Sequence, residues 1–415
     1  MVSKGGARLP LDVYGLISSR AERHGADVFA LPVPLAGPVI CMRGEEAARL
    51  FYDEERFERA GVLPRRVQAT LVGEGGVQSL DGEAHRHRKA MFMGLMDEEA
   101  VVDLGAHFSD AWRRTTARWA SSSAPVVLYD EVGRLLFEVG CTWAGIPVDP
   151  DQVAVRTDDM HGMIETPLAF GPRHRRGRRA RRRAERWAGD LVDGVRRGRL
   201  SPPPDRALAV IARHRDLDGT LLDRRIAAVE LLNVVRPTVA VDRFIVFVAS
   251  ALHAHHGWAE RVRTAGDDDP VVEWFVDEVR RTAPFFPVQA ARARSGFTWQ
   301  GVDIPAGALV VLDFYGTDHH PALWPEPERF DPCRFAADRG AFALVPQGGG
   351  DHLSGHRCAG EAATVELMRR AARALTRDMT YDVPPQDLRV SRRKVPALPD
   401  SGFVITDVRL PGTAG

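Results

Sequence analysis

The stretch Pro346-Gln347-Gly348-Gly349-Gly350-Asp351-His352-Leu353-Ser354-Gly355-His356-Arg357-Cys358-Ala359-Gly360-Glu361 places one cysteine in a glycine-rich loop just ahead of a helix. Residues without Cβ allow tight turns and let the backbone come close to something flat. Cys358 stands where this loop gives way to an apolar-periodic run over 362–375. A thiolate there would face the positive end of the helix and its free N–H groups, which suits an anionic sulfur bound to iron. An isolated intracellular cysteine is ordinarily a small buried hydrophobe. The glycine framing reverses that reading.

Gly-His-Arg-Cys-Ala-Gly-Glu resembles the haem-thiolate loop of the cytochrome P-450 superfamily, and Pro-Gln-Gly-Gly-Gly ahead of it resembles that family's bacterial fatty-acid peroxygenase branch. Most members begin the loop with Phe and a shorter glycine turn, so Pro346 and Gln347 match the branch and depart from the general pattern. The resemblance runs over about 11–410. It implies a mainly α haem-thiolate fold with a small β-sheet part, formed by about 27–43 and 292–313, in a single domain over 1–415. It also implies a haem b (iron protoporphyrin IX) ligated by Cys358.

Composition bounds the same conclusion. A chain of 415 residues, 44% of them hydrophobic, can bury a large core as one domain or two closely packed ones. Lys+Arg and Asp+Glu are both 56, so no net field points to nucleic acid. Cys41, Cys141, Cys333 and Cys358 lie far apart without metal or disulfide spacing, as in a reducing compartment. The N-terminus has no apolar signal region and no membrane-length apolar run occurs, so the expected location is cytoplasmic.

Periodicity predicts helices over 11–23, 45–52, 64–71, 98–120 and 131–143, and strands over 27–31, 39–42, 297–304 and 308–313. A helix opening at Asp81 puts His85 and Lys89, four apart, on one face with Arg88 beside them. Such a cluster is commonly a solvated first turn; the resemblance assigns His85 and Lys89 to haem propionates. It assigns His356 the same role, together with Arg292, with Arg294 as its alternative. The tract Arg173-His-Arg-Arg-Gly-Arg-Arg-Ala-Arg-Arg-Arg-Ala-Glu-Arg-Trp187 could be a nucleic-acid arm or an anionic membrane contact. Without aromatic interleaving, and with apolar periodicity continuing at Leu191, Val192 and Val195, it reads as a solvated helix face.

The longest helical pattern, 221–253, is apolar nearly all round in its second half and carries Arg236-Pro237. Proline removes an N–H and clashes with the carbonyl of Asn233, so the helix must bend or open there. A buried arginine beside it needs an anion, which could be Glu230 or Asp242 in an internal salt bridge. Most of the superfamily has an acid–alcohol pair at this point, and Val234-Val235-Arg236-Pro237-Thr238 has no acid. Arg-Pro resembles the peroxygenases, whose substrate carboxylate is held by the arginine and does the acid–base work on hydrogen peroxide. A guanidinium fork suits that task.

By the same resemblance Gln78 lines the pocket, where branch members with His tend towards decarboxylation to an alkene. Phe285 and Phe286 either line a fatty chain or pack in the core. Glu278 and Arg281 form the superfamily's structural Glu-x-x-Arg pair, with Arg329 as the expected third member. Hydrogen-peroxide-dependent α- or β-hydroxylation of long-chain fatty acids is therefore expected, with Arg236, Pro237 and Gln78 as the catalytic set and no obligatory redox partner. The alternatives are oxidative decarboxylation, a monooxygenase fed by dioxygen and a redox partner, and a haem-based sensor or lipid carrier.

Overall fold

The computed structural model describes residues 7–8, 11–33, 37–267 and 269–412. Fourteen α-helices lie among them, thirteen arranged about one long central helix, Arg224–Ala254. That helix starts on Asp223, whose carboxylate accepts from the N–H groups of Arg225 and Ile226. Beyond its first turn it is buried on nearly every side, as its all-round apolar sequence requires. It packs on Leu128–Trp143, Gly171–Arg196 and Glu361–Arg377 in one large hydrophobic core.

The expected β part is a five-stranded sheet with strand order Val28–Val33, Gly37–Met42, Leu309–Asp313, Val288–Ala293, Phe57–Glu58, while Phe297–Trp299 and Val302–Ile304, expected in the same sheet, pair only with each other as a separate hairpin. The first two strands form a hairpin, and the second runs parallel to Leu309–Asp313 with Ile40 opposite Val310. A second, smaller core with Phe51, Phe57, Ile40, Val310 and Leu312 lies against this sheet. No helix among the described residues is long and apolar enough to cross a membrane.

Two expectations need correction. Pro64 is the cap of a short helix, Arg65–Val67, and the chain then widens into a π-helix at Gln68–Val72. Periodicity alone reads such a segment as one α-helix, because the extra residue per turn leaves the apolar spacing nearly intact. Pro237 sits inside an unbroken helical run, so the chain accommodates it without a break.

Glu278 and Arg281 are fully buried on the helix Val271–Thr282. Their bidentate pair has N–O distances of 2.7 and 2.8 Å. Glu278 also accepts from the Asp331 N–H at 2.8 Å, and Arg281 donates to the carbonyls of Asp318 and Pro327 at 2.9 Å. The third member is Arg334, 3.3 Å from Glu278, and not Arg329, which is exposed and pairs with Glu326. The 3-10 turn Pro332–Ala336 folds Arg334 back over the pair.

Because removing one partner of a buried pair strands the other charge, Glu278→Gln is expected to cost about 3–5 kcal/mol. Chemical denaturation followed by circular dichroism checks it; a loss below about 1 kcal/mol would mean that the pair does not support the fold.

Candidate haem-thiolate site

The loop ahead of Cys358 is shaped by its glycines. Gly348 and Gly350 have φ of +95° and +83°, which side-chain-bearing residues rarely adopt. A Cβ on Gly348 would lie 2.9 Å from the Tyr52 hydroxyl. Cys358 donates its N–H to the Gln347 carbonyl at 3.0 Å and precedes the helix Glu361–Arg377. Gln347 is the fixed point of the loop: its amide donates to Thr364 at 3.0 Å and accepts from Arg280 at 3.2 Å. Arg280, buried and unforeseen from sequence, also binds Asp277 and Glu361.

The helix end does not by itself make Cys358 a thiolate. Desolvation pushes the thiol above its usual value, and the Gly360 N–H, Lys89 and Gln347 offset only part of that. A thiolate at this position needs a cation of its own, and a bound metal supplies one.

His85, His356 and Lys89 converge, as expected. The two imidazoles stack with centroids 3.8 Å apart, and Lys89 donates to the carbonyl of Arg357, next to the cysteine. Burial and the neighbouring His356 and Lys89 push His85 down to about 3, so it is neutral. Its Nδ1 is buried without a partner. Glu54 closes the group, with ligand atoms of all three residues within 4.8 Å.

Arg292 does not join this group. It donates to the Gly307 carbonyl at 2.8 Å, and no contact among the described residues links it to His85, His356 or Lys89. Arg294 is likewise tied to Glu54, Phe57 and Glu58. The arginine that faces the histidines is Arg59, 3% exposed, with Nε and Nη1 unpartnered. Its charge lowers the proton affinity of both His85 and His356. Sequence gave no periodic signal for it, since it lies just past a two-residue strand.

On the central helix, Arg236 is 7% exposed and has no carboxylate partner among the described residues. Both expected candidates are engaged elsewhere. Glu230 binds Arg88 at 2.8 Å, and Asp242 binds Arg243 at 2.8 Å and His161 at 2.6 Å. Arg236 has one side-chain acceptor, Asn233 Oδ1 at 3.3 Å, and its Nε is buried without a partner. Desolvation, reinforced by the charge of Arg181, lowers its pKa to about 9.

Asn233 ties this arginine to Gln78. Its amide donates to Gln78 Oε1 at 3.2 Å and to Glu230 Oε2 at 2.8 Å. Beside Arg236 lies a small apolar cluster of Leu71, Ile164 and Ala240 with Val67, Val72, Phe285 and Phe286. Ala240 is one turn along from Arg236 on the same helix face. The two phenylalanines meet edge to face at 4.6 Å and are only partly buried. Phe285 also packs on the large core and Phe286 on the core that holds Tyr14.

A flat dianionic macrocycle with an iron fits these residues. The thiol lacks a counter-cation, and His85 and Arg59 hold unfilled donors at one edge. The fold and this donor set define a haem-thiolate oxidoreductase.

The cytochrome P450 family profile matches residues 267–375. The structure of cytochrome P450SP alpha (CYP152B1) in complex with (R)-ibuprophen superposes with TM-score 0.93 at 44% identity, covering 97% of this chain and 98% of that one. Cytochrome P450EX alpha (CYP152N1) with myristic acid gives 0.91 at 40% identity, covering 96% and 95%. A variant of cytochrome P450 OleT in complex with arachidonic acid gives 0.92 at 35% identity, covering 97% and 96%. A cyclooctat-9-en-7-ol 5-monooxygenase of Streptomyces melanosporofaciens is 24% identical over 74% of this chain and 72% of its own length. The chain belongs to the cytochrome P450 family, in the fatty-acid peroxygenase branch.

Asn233→Leu would remove the side-chain acceptor of Arg236 and the donor of both Gln78 and Glu230. Leaving those buried groups unmet is expected to destabilise the protein by about 1–3 kcal/mol. Urea denaturation of variant and parent checks it, and equal midpoints would show that the network is not energetically connected.

Proposed function

We propose that the protein hydroxylates long-chain fatty acids at the α or β carbon with hydrogen peroxide, and that the substrate's own carboxylate, held by Arg236, is the acid–base group. The observation that carries this reading is the buried guanidinium with no carboxylate beside it among the described residues. An unpaired cation next to an apolar wall calls for a ligand with one anionic end and a long apolar body. The myristic-acid and arachidonic-acid complexes of similar chains support the same class.

Cys358 would ligate the iron of a haem b, with His85, His356, Lys89 and Arg59 holding its propionates. When bound, that group supplies a metal that accepts peroxide and oxidises an unactivated C–H bond, with the thiolate donating electron density. In the balanced reaction the fatty acid gains one oxygen atom and the peroxide leaves as water. Arg236 fixes the carboxylate by a two-pronged contact and keeps it ionised. The carboxylate can then take a proton from one peroxide oxygen and return it to the other. Pro237 contributes by leaving the Asn233 carbonyl without its usual helical donor. Gln78 positions Asn233, and its neutral amide neither takes nor gives a proton near neutral pH. That favours hydroxylation over proton-coupled loss of carbon dioxide.

No redox partner is needed for this chemistry. The helix after Cys358 binds its arginines internally: Arg369 and Arg370 to Glu366, Arg373 to Asp267, and Arg377 to the Arg263 carbonyl.

Mass-spectrometric analysis of the haem-loaded protein with hydrogen peroxide and a series of saturated fatty acids tests the reading. Hydroxy acids retaining all carbons are expected; a predominant one-carbon-shorter alkene, or turnover only with NAD(P)H-fed partners, would overturn it. Arg236→Ala should lower kcat/KM by about 100-fold or more, because it deletes a buried charge contact.

Affinity should also depend on pH. The empty pocket releases the Arg236 proton near pH 9, and a bound carboxylate raises that value, so binding takes up a proton above pH 9. Fatty-acid affinity is therefore expected to stay level from about pH 6 to 9 and then fall roughly tenfold per pH unit. Spectral titration of the acid across that range measures it, and a flat profile to pH 11 would remove Arg236 from the binding step.

A further inference from the structure

The arginine tract forms the first half of the helix Gly171–Arg196. Gly177, Ala180, Arg181, Ala184 and Ala188 make one buried stripe along it. Arg175, Arg179, Arg182 and Arg186 recur at four- and three-residue intervals on the opposite side, where all four are exposed. Arg176 and Arg178 flank them and are exposed as well. None of these six has a carboxylate partner among the described residues, whereas Arg183 on the same helix pairs with Asp159. In a chain whose charges sum to zero, this is a concentrated cationic ridge.

The ridge begins at an exposed aromatic. Phe170, the residue before the helix, is 71% exposed, the highest value among the large exposed apolar side chains. The guanidinium of Arg66 lies 4.4 Å from its ring centroid. Arg66 also donates to the carbonyl of Ala169, and Val67, the next residue, belongs to the apolar cluster beside Arg236. From the other side, Leu168 packs with Tyr14 and Phe286. The turn that presents Phe170 is thus built on the apolar clusters that lie beside Arg236.

We infer that Phe170 and the arginine ridge form a docking surface for an anionic lipid interface, from which the substrate passes to the chamber. An exposed ring flanked by unpaired cations matches a surface with negative headgroups over hydrocarbon. Nucleic acid is less favoured, because its bases ask for aromatic groups interleaved with the charges, and the ridge has none between Phe170 and Trp187. The delivery step rests on the fatty-acid reading above; the docking itself does not.

Flotation of the haem-loaded protein with vesicles of phosphatidylcholine alone, or mixed with phosphatidylglycerol, tests docking without any turnover. Binding only to the mixed vesicles, and its loss at high salt, is expected. The variant Arg175→Gln, Arg179→Gln, Arg182→Gln, Arg186→Gln should weaken partitioning by about 100-fold, and Phe170→Ala by about threefold, both with unchanged melting temperature. Both should keep parent kcat/KM on dilute fatty acid and lose rate only when the acid is presented in mixed vesicles. Equal binding to both vesicle types, no binding, undiminished binding of the variants, or preferential capture by single-stranded DNA overturns the proposal. If docking holds but no fatty acid is oxidised, the docking surface stands and the activity reading falls.

Discussion

A guanidinium with no anion of its own, sealed into the middle of the molecule, is the constraint around which this structure is arranged. Burying an arginine unpaired is costly, and the fold meets the cost only in part. Asn233 offers one acceptor, and the nearby carboxylates Glu230 and Asp242 are held by Arg88 and by Arg243 with His161. Were either acid released toward Arg236, the site would become an ordinary internal salt bridge. Arg88 and Arg243 therefore protect the function by keeping those acids engaged. The lowered proton affinity of Arg236 is the signature of the energy that a carboxylate ligand recovers.

The opposite side of the chamber shows the same logic with the sign reversed. The Cys358 thiol is desolvated, and its neighbours stabilise a negative sulfur only partly. Arg280 is turned instead onto Gln347, Asp277 and Glu361, which fixes the loop without neutralising the sulfur. In the proposed function this unmatched potential anion and the unmatched cation take different partners, a metal and a carboxylate. That separation lets one protein hold both near one reacting centre without their pairing with each other.

How much of this was legible in sequence depended on whether a residue's role is local. The glycine loop, the His85–Lys89 spacing and Arg236-Pro237 are short-range patterns, and each was readable where it stands. So was the helix over 98–120, whose observed bounds, Glu98–Ala120, coincide with its periodicity. Roles set by tertiary placement were not readable. Arg59 faces the histidines because a two-residue strand aligns it with the sheet, and Arg334 displaces Arg329 because a 3-10 turn reverses its direction. Arg292 was misplaced for the same reason: its strand register carries the side chain to Gly307. Asn233 carried no signal beyond its place in an apolar helix, yet it is the link between Gln78 and Arg236.

Arginine appears in three states in this molecule, and burial and partnership together distinguish them. Arg281 is buried with every direction satisfied, and it holds the fold. Arg236 is buried with a direction left open, its Nε without a partner among the described residues. Arg175, Arg176, Arg178, Arg179, Arg182 and Arg186 are exposed without a carboxylate partner among the described residues, a state that in water costs almost nothing and is kept at no loss of stability. Their location is what gives them meaning. Six such arginines scattered over the surface would be solvation alone, whereas six within 175–186, on the helix that follows an exposed phenylalanine, create a directed field. Dissolved fatty acid reaches the site without help from this surface, whereas a lipid interface with anionic headgroups is held by such a field. Only such an interface also gives the exposed ring of Phe170 an apolar partner.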